Sequence, residues 1–226
     1  MADAPDAAPR LVPGIVVGLK AEARALVHAS PWPVGVAGGN PVRAGELARA
    51  LAARGATALF SMGLAGGLDP ALSPGDVVLA DAVATPEGLL HPCDADLRAL
   101  LLGRLGMAVA TGRVAGSDAM VVDVAAKRAL RNVTGAVAVD MESHGIAAVA
   151  AALGLPFAAI RVVIDPADRA VPPAATLGMD AEGNARPLRV ALALLRRPGD
   201  LPGLLALGRD NARAMKVLAR IGAALA

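Results

Sequence analysis

Residues 137–169, VAVDMESHGIAAVAAALGLPFAAIRVVIDPADR, decide the fold. An apolar strand from Val137 to Val139 runs into Asp140-Met141-Glu142, and a helix of small residues follows through about Leu153. Gly154 and Pro156 end that helix, and a second apolar strand from Phe157 to Ile164 delivers Asp165 at its carboxyl end. In open α/β sheets, ligands bind outside the carboxyl ends of the strands, so Glu142 and Asp165 are expected beside one crevice.

Outward from this unit the chain keeps alternating. Strands are expected at Gly14 to Gly18, Val34 to Ala37, Ala58 to Met62 and Ala108 to Val114, with a strand pair around Val77 to Ala84. Helices are expected from Ala21, from about Pro41 to Ala53, from Asp94 to Arg104 and from Val124 to Arg131. Such alternation indicates a layered α/β domain with a mostly parallel or mixed sheet. Past Asp168 the texture changes. Residues 171–187 form a loop containing Pro and Gly, and residues 188–226 read as two or three amphipathic helices broken at Pro198-Gly199 and Pro202-Gly203.

Composition narrows the classes. The 226 residues are 55% apolar and 19% charged, with a mean hydropathy of +0.55, enough for one full core in one domain. The formal charge is only +2, and the basic residues are scattered without a run. Trp32, Phe60 and Phe157 are the only aromatic side chains, so the stacking platforms and charge stripes of a nucleic-acid binder are missing. Cys93 stands alone, which rules out an intrachain disulfide or a cysteine metal cluster and suits a reducing compartment, the cytoplasm. His28, His91 and His144 lack metal-site spacing, so no metal is expected. Residues 1–12 read as a disordered leader and not as a signal peptide, leaving 13–226 as one domain with 188–226 as a C-terminal helical extension. No run of about 18 uncharged apolar residues suggests a spanning helix.

Three further segments carry chemistry-bearing residues. Gly63-Leu64-Ala65-Gly66-Gly67 follows a strand, either as a tight turn or as a place where a ligand approaches the backbone. Glu22 lies four residues past the first strand, where an acid is also favoured by the helix macrodipole. Neighbouring Arg24 is a solvated residue or an anion contact. Gly116-Ser117-Asp118-Ala119-Met120-Val121 follows another apolar strand, and Asp118 either lines a site or caps the next turn. His144, near a helix start, is expected to be structural.

The sequence GLAGGLDP followed by PGDVVLAD, then Met141-Glu142, then Asp165, resembles the purine nucleoside phosphorylase and nucleosidase superfamily in content and order. That resemblance implies a three-layer α/β/α fold with a central mixed sheet and extra C-terminal helices. It implies that Met141 and Glu142 hold the ribose, that Asp165 protonates the leaving base, and that Glu22 orients an attacking water as in the nucleosidase branch. Leu64, Ala65 and Gly66, with Asp118, Ala119, Met120 and Val121, would contact the nucleoside. The bond broken is an N-ribosidic one, through an oxocarbenium-like transition state.

Two departures bear on the reaction. Where phosphorylases resemble Arg-x-Gly-Ser, this chain has Ser61-Met62-Gly63-Leu64, so the phosphate clamp is broken unless Arg24 or Arg43 replaces it. A glutamate at the nucleophile side repels a phosphate dianion, which favours water; phosphate stays as the alternative co-substrate, and no other cofactor is expected. Ile164 stands where related nucleosidases have Ser before the catalytic Asp, leaving Asp168 or backbone amides to orient Asp165.

The pieces GLKAEAR, LAGGLDP, VDMESHG, IDPADRAVPPAA and LLRRPGDLPGLLALGRDNARA, spread over residues 14–215, resemble the hopanoid-associated phosphorylase-like branch. This implies adenosylhopane as substrate, with adenine and ribosylhopane as products. The alternatives are a methylthioadenosine or adenosylhomocysteine nucleosidase, a phosphate-dependent phosphorylase, and a catalytically silent purine-binding protein. A homo-oligomer is implied. Residues 188–226 are expected to pack on the domain, with a subunit interface or a peripheral membrane contact at the inner face as alternatives.

Overall fold

Short apolar runs punctuated by glycine and proline set the element boundaries, and cap residues fix several helix starts. In the computed structural model, which describes residues 11–27, 32–178, 180, 184 and 186–225, Asn40, Asp94 and Asp123 each accept a backbone N–H three residues on. Each cap satisfies one of the orphan donors of a first turn. The order is β1 (Pro13–Val17), α1 (Lys20–Val27), β2 (Val34–Val36), α2 (Pro41–Ala53), β3 (Ala58–Gly67), β4 (Val77–Ala84), β5 (Leu90–Pro92) and α3 (Ala95–Leu105). Then come β6 (Val109–Gly116), α4 (Val124–Thr134), β7 (Ala138–Asp140), α5 (Ser143–Leu153), β8 (Phe157–Asp165), α6 (Pro173–Thr176), α7 (Pro187–Arg196) and α8 (Leu201–Leu225).

The sheet is mixed. Its path is β2-β1-β3-β7-β6-β4-β5, and β8 pairs with both β3 and β4. Because β3 pairs with β8, β8 with β4, β4 with β6, β6 with β7 and β7 with β3, five strands return on themselves as a closed ring. β1 and β2 extend the sheet beyond β3 in parallel register. Helices cover it on both sides. Ala44, Ala48 and Leu51 of α2 join Ile146, Ala147 and Ala150 of α5 in one apolar cluster, while Leu26, Leu97, Leu101, Leu218, Ile221 and Leu225 from α1, α3 and α8 fill the other. The three-layer α/β/α arrangement expected from the sequence is present.

Several local expectations need correction. Gly63–Gly67 is the second half of β3 and not a loop: it continues the ladder against β8, with a bulge at Ala65/Gly66 that turns the strand end toward Asp165. Residues 77–84 make one strand, and its hairpin partner is the short β5. Pro202-Gly203 does not break a helix. Pro202 lies in the first turn of α8, where no N–H partner is lost, while the break at Pro198-Gly199 is a 3-10 turn. The last half of α8 belongs to the core: Leu218 and Ile221 are fully buried. The loop after Asp168 carries the four-residue α6. The leader, over residues 1–10, lies outside the described residues, as does His28.

Candidate active site

The carboxyl ends of β1, β3, β7 and β8 converge on one pocket of about 260 Å³. Glu22, Glu142 and Asp165 all line it, and they are only 3%, 6% and 6% exposed. Leu64, Ala65, Gly66, Met141, Ala119, Met120 and Val121 line it as well. The sequence therefore pointed to a set of residues that the fold brings together from five separate segments.

Each carboxylate is seated differently. Glu22, in the first turn of α1, accepts the backbone N–H of Leu19 and of Leu64, both at 2.8 Å. The second bond ties it to β3, 42 residues away in sequence. Gly63 permits this close approach, because a Cβ there would come within 2.9 Å of the carboxyl group and its φ of +148° suits glycine alone. Burial raises the Glu22 pKa above the ordinary glutamate value, against the two N–H groups that favour the anion. The residue is thereby a stronger base than a free carboxylate.

Glu142 sits at the junction of β7 and α5, facing Gly18. A Cβ on residue 18 would lie 2.5 Å from its Oε1, so the end of β1 leaves room for this side chain only as glycine. Its pKa is raised to about 8, first by burial and then by the neighbouring Asp140, with Arg161 opposing. Met141 lines the pocket beside it and lies against the position of Gly39, whose absent Cβ would be 3.6 Å from the Met141 methyl.

Asp165 ends β8. Burial raises its pKa, and Lys127 opposes that rise. Lys127 was not anticipated. It is fully buried on α4, and its ammonium donates to Asp165 Oδ2, to the Pro166 carbonyl at 2.8 Å and to the Arg169 carbonyl at 2.9 Å. The place expected to be filled by Asp168 or by backbone amides is filled by this lysine.

A second buried cluster lies behind Glu142 and was also missed. Arg161, in the middle of β8, donates to Asp140, Ser61 and Ser143, and Asp140 accepts the Ser143 backbone N–H at 3.0 Å and its hydroxyl at 2.8 Å. The guanidinium thus compensates Asp140 and fixes the turn from which Glu142 projects. An arginine inside the apolar run FAAIRVVID was the sequence signal for it, since a charge in a buried strand needs a partner.

Asp118 departs from expectation. Its side chain is 70% exposed and pairs with His144 Nε2 at 3.1 Å, facing a separate shallow cavity and not the pocket. His144 draws the carboxylate away, while the next three residues turn inward. Arg24 and Arg43 are exposed and do not line the pocket either. No cation lines it among the described residues, and these contain no cluster of potential metal ligands.

The Phosphorylase superfamily model matches residues 34–196. Among solved structures, the S-adenosylhomocysteine nucleosidase of Streptococcus pyogenes, in complex with 5-methylthiotubericidin, is 17% identical. It aligns over 98% of this chain and 100% of its own, with a TM-score of 0.68. The 5'-methylthioadenosine/S-adenosylhomocysteine nucleosidase of S. pneumoniae with a transition-state inhibitor is 20% identical over 95% and 99% of the two chains, with a TM-score of 0.65. Futalosine hydrolase of Helicobacter pylori is 18% identical over 68% and 87%, with a TM-score of 0.62. These similarities establish a shared fold. With the family match covering most of the sequence, the chain belongs to the Phosphorylase superfamily.

Proposed function

We propose that this protein hydrolyses the N-ribosidic bond of a purine nucleoside whose 5' carbon carries a large apolar group, adenosylhopane being the substrate that the sequence resemblance indicates. The observation that carries the reading is the pocket with three buried carboxylates and no lining cation. Asp165 gives its proton to N7 as the C1'–N9 bond breaks and its electron pair passes to the base. Glu142 holds the ribose hydroxyls, and its ionised form stabilises the positive charge growing on the sugar. Glu22 takes a proton from the water that adds to C1' on the opposite face. A phosphate dianion entering the same space meets three carboxylates and no arginine, which supports water as the nucleophile.

The apolar 5' group is supported by what surrounds the pocket. Leu19, Ile164, Val171, Ala175 and Leu207 line it, with no aromatic residue. Beyond its rim, α7 has no buried residue, and Leu188, Leu192 and Leu195 share one exposed face flanked by Arg189 and Arg196. No helix among the described residues is long and apolar enough to cross a membrane. An interfacial stripe of leucine edged with arginine suits the surface of an anionic bilayer, from which a lipid-linked nucleoside would enter. The second reading is a small 5' thioether nucleoside, favoured by the S. pneumoniae and S. pyogenes nucleosidases that share the fold.

Adenine release from adenosylhopane and from methylthioadenosine, with and without phosphate, tests the proposal. Phosphate-independent release that prefers the lipid nucleoside is expected. Strict phosphate dependence refutes the hydrolase, preference for methylthioadenosine refutes the lipid substrate, and no release from either refutes the nucleosidase.

A further inference from the structure

The lone buried lysine behind Asp165 has a role that nothing in the family match assigns. α4 is otherwise a solvated helix: Lys127 is its only buried residue, and the Asp123 cap and the Gly135 terminus fix its ends. Its ammonium has three donors and three acceptors. One is an oxygen of Asp165, and the others are the carbonyls of Pro166 and Arg169 in the turn that leaves β8. That turn is secured again by the ion pair of Arg169 with Asp210 on α8. Gly66 lies against both oxygens of Asp165, where a Cβ would be 3.5 and 3.6 Å away, so β3 closes the other side of the carboxyl group. With Oδ2 taken from behind, Oδ1 is the oxygen left for a ligand.

We propose that Lys127 is a positioning residue for leaving-group protonation: it aims Asp165 Oδ1 at the base, and its charge stabilises the carboxylate left when the proton has gone. This rests on the nucleosidase reading of the pocket. The step is a proton transfer from the Asp165 carboxyl to N7 of the base as the C1'–N9 electron pair moves into the ring. Asp165 changes from neutral to anionic in that step, and a fixed cation beside it lowers the energy of the charged product without moving. Burial opposes this, keeping the acid protonated before reaction. The two influences together leave an acid that holds its proton in the resting pocket and loses it in the transition state.

The experiment compares wild type with Lys127→Met and Lys127→Arg. Thermal unfolding checks the fold, and Lys127→Gln, which keeps donors for the two carbonyls without the charge, serves where the Met variant does not fold. The first readout needs no turnover. It is the carbon-13 titration of the Asp165 carboxyl, identified by its loss in Asp165→Asn. Its midpoint is expected to rise by about one pH unit or more in the uncharged variants and to stay near wild type in Lys127→Arg.

The second readout is the pH profile of adenine release, set beside hydrolysis of p-nitrophenyl β-D-riboside, whose leaving group departs without a proton. In the uncharged variants kcat for the purine nucleoside is expected to fall about 10- to 100-fold with KM little changed. The falling alkaline limb should move up with the Asp165 midpoint, and nitrophenol release should be retained. An unmoved midpoint, or an equal loss on both substrates, overturns the proposal. A wild-type chain inactive on every purine nucleoside refutes the nucleosidase reading instead, and the titration then decides the lysine's role alone.

Discussion

Replacing Glu142 with Gln should make the protein more stable at alkaline pH while destroying its function. The carboxyl is almost wholly buried, and its half-ionisation lies at about 8 against 4.5 in an unfolded chain. The sign follows from proton counting. Between those two pH values the folded chain holds a proton that the unfolded chain has released, so stability falls as pH rises through this window. Below pH 4.5 the penalty is absent, and above 8 it is complete. At about 1.36 kcal/mol per pH unit, the total is on the order of 5 kcal/mol. For a chain of this size that is roughly 10 to 20 °C in Tm. Gln keeps the shape and cannot ionise. Thermal unfolding of wild type and Glu142→Gln at intervals from pH 5 to 8.5 should give curves that nearly meet at the acid end and diverge steadily, the variant being more stable at 8.5. Glu22 and Asp165 titrate in both proteins, so the difference between the curves isolates residue 142. Parallel curves across the range would refute the reasoning.

Other outcomes can be checked as directly. Asp165→Asn should lower adenine release about 10²- to 10⁴-fold, the usual contribution of a general acid, measured by chromatography of the freed base; an unchanged rate would place the acid elsewhere. Gly18→Ala puts a methyl group 2.5 Å from Glu142 Oε1, so kcat/KM should drop about 10-fold or more with an unchanged circular dichroism spectrum; wild-type turnover would show that the carboxylate position is not critical. Cys93 is buried, and burial pushes its thiol up to about 11; it should therefore resist a disulfide reagent at pH 8 until the chain unfolds, and rapid labelling of the native protein would contradict this. Serine at Leu188, Leu192 and Leu195 should abolish flotation with anionic liposomes while leaving hydrolysis of a soluble nucleoside intact; a wild type that stays wholly in the soluble fraction would exclude the membrane contact.

Most of the architecture was legible because apolar runs and their glycine or proline brackets are local signals. The helix at residues 41–53 and the strand-helix-strand unit ending at Asp165 lie where the pattern puts them. The closed ring was not legible, since strand pairing across the sheet leaves no mark in a local window. The glycines of β3 misled for a definite reason. They read as a turn, yet they are strand residues made small by the acids packed on them, as Gly63 against Glu22 shows. Glu22, Glu142 and Asp165 were found through motif order. Lys127 was not, because one lysine in an amphipathic helix looks like any solvated residue. The available clue was rarity: this chain has three lysines among 22 basic residues, and arginine is its ordinary surface cation. Asp118 was misplaced because its neighbours do line the pocket, and only the His144 contact shows that its own side chain does not.

The ring of strands also sets when the site comes into being. β3 and β8 form their ladder with Leu59 opposite Phe157, roughly 100 residues apart in sequence. Such distant pairings are slow to form, since the intervening chain must be ordered before they add stability. During synthesis β3 and β4 emerge long before the strand that joins them, and Asp165 lies at the far end of that strand. A chain stopped before residue 157 has Glu22, Glu142 and Lys127 but neither the proton donor nor the wall that encloses it. Capacity to act therefore arrives with the last strand, in one step, and no shorter product of translation carries a fraction of it. A growing chain that waits with unpaired strand edges is also the form most exposed to association with its neighbours, so fast synthesis at high concentration is where this fold is most vulnerable.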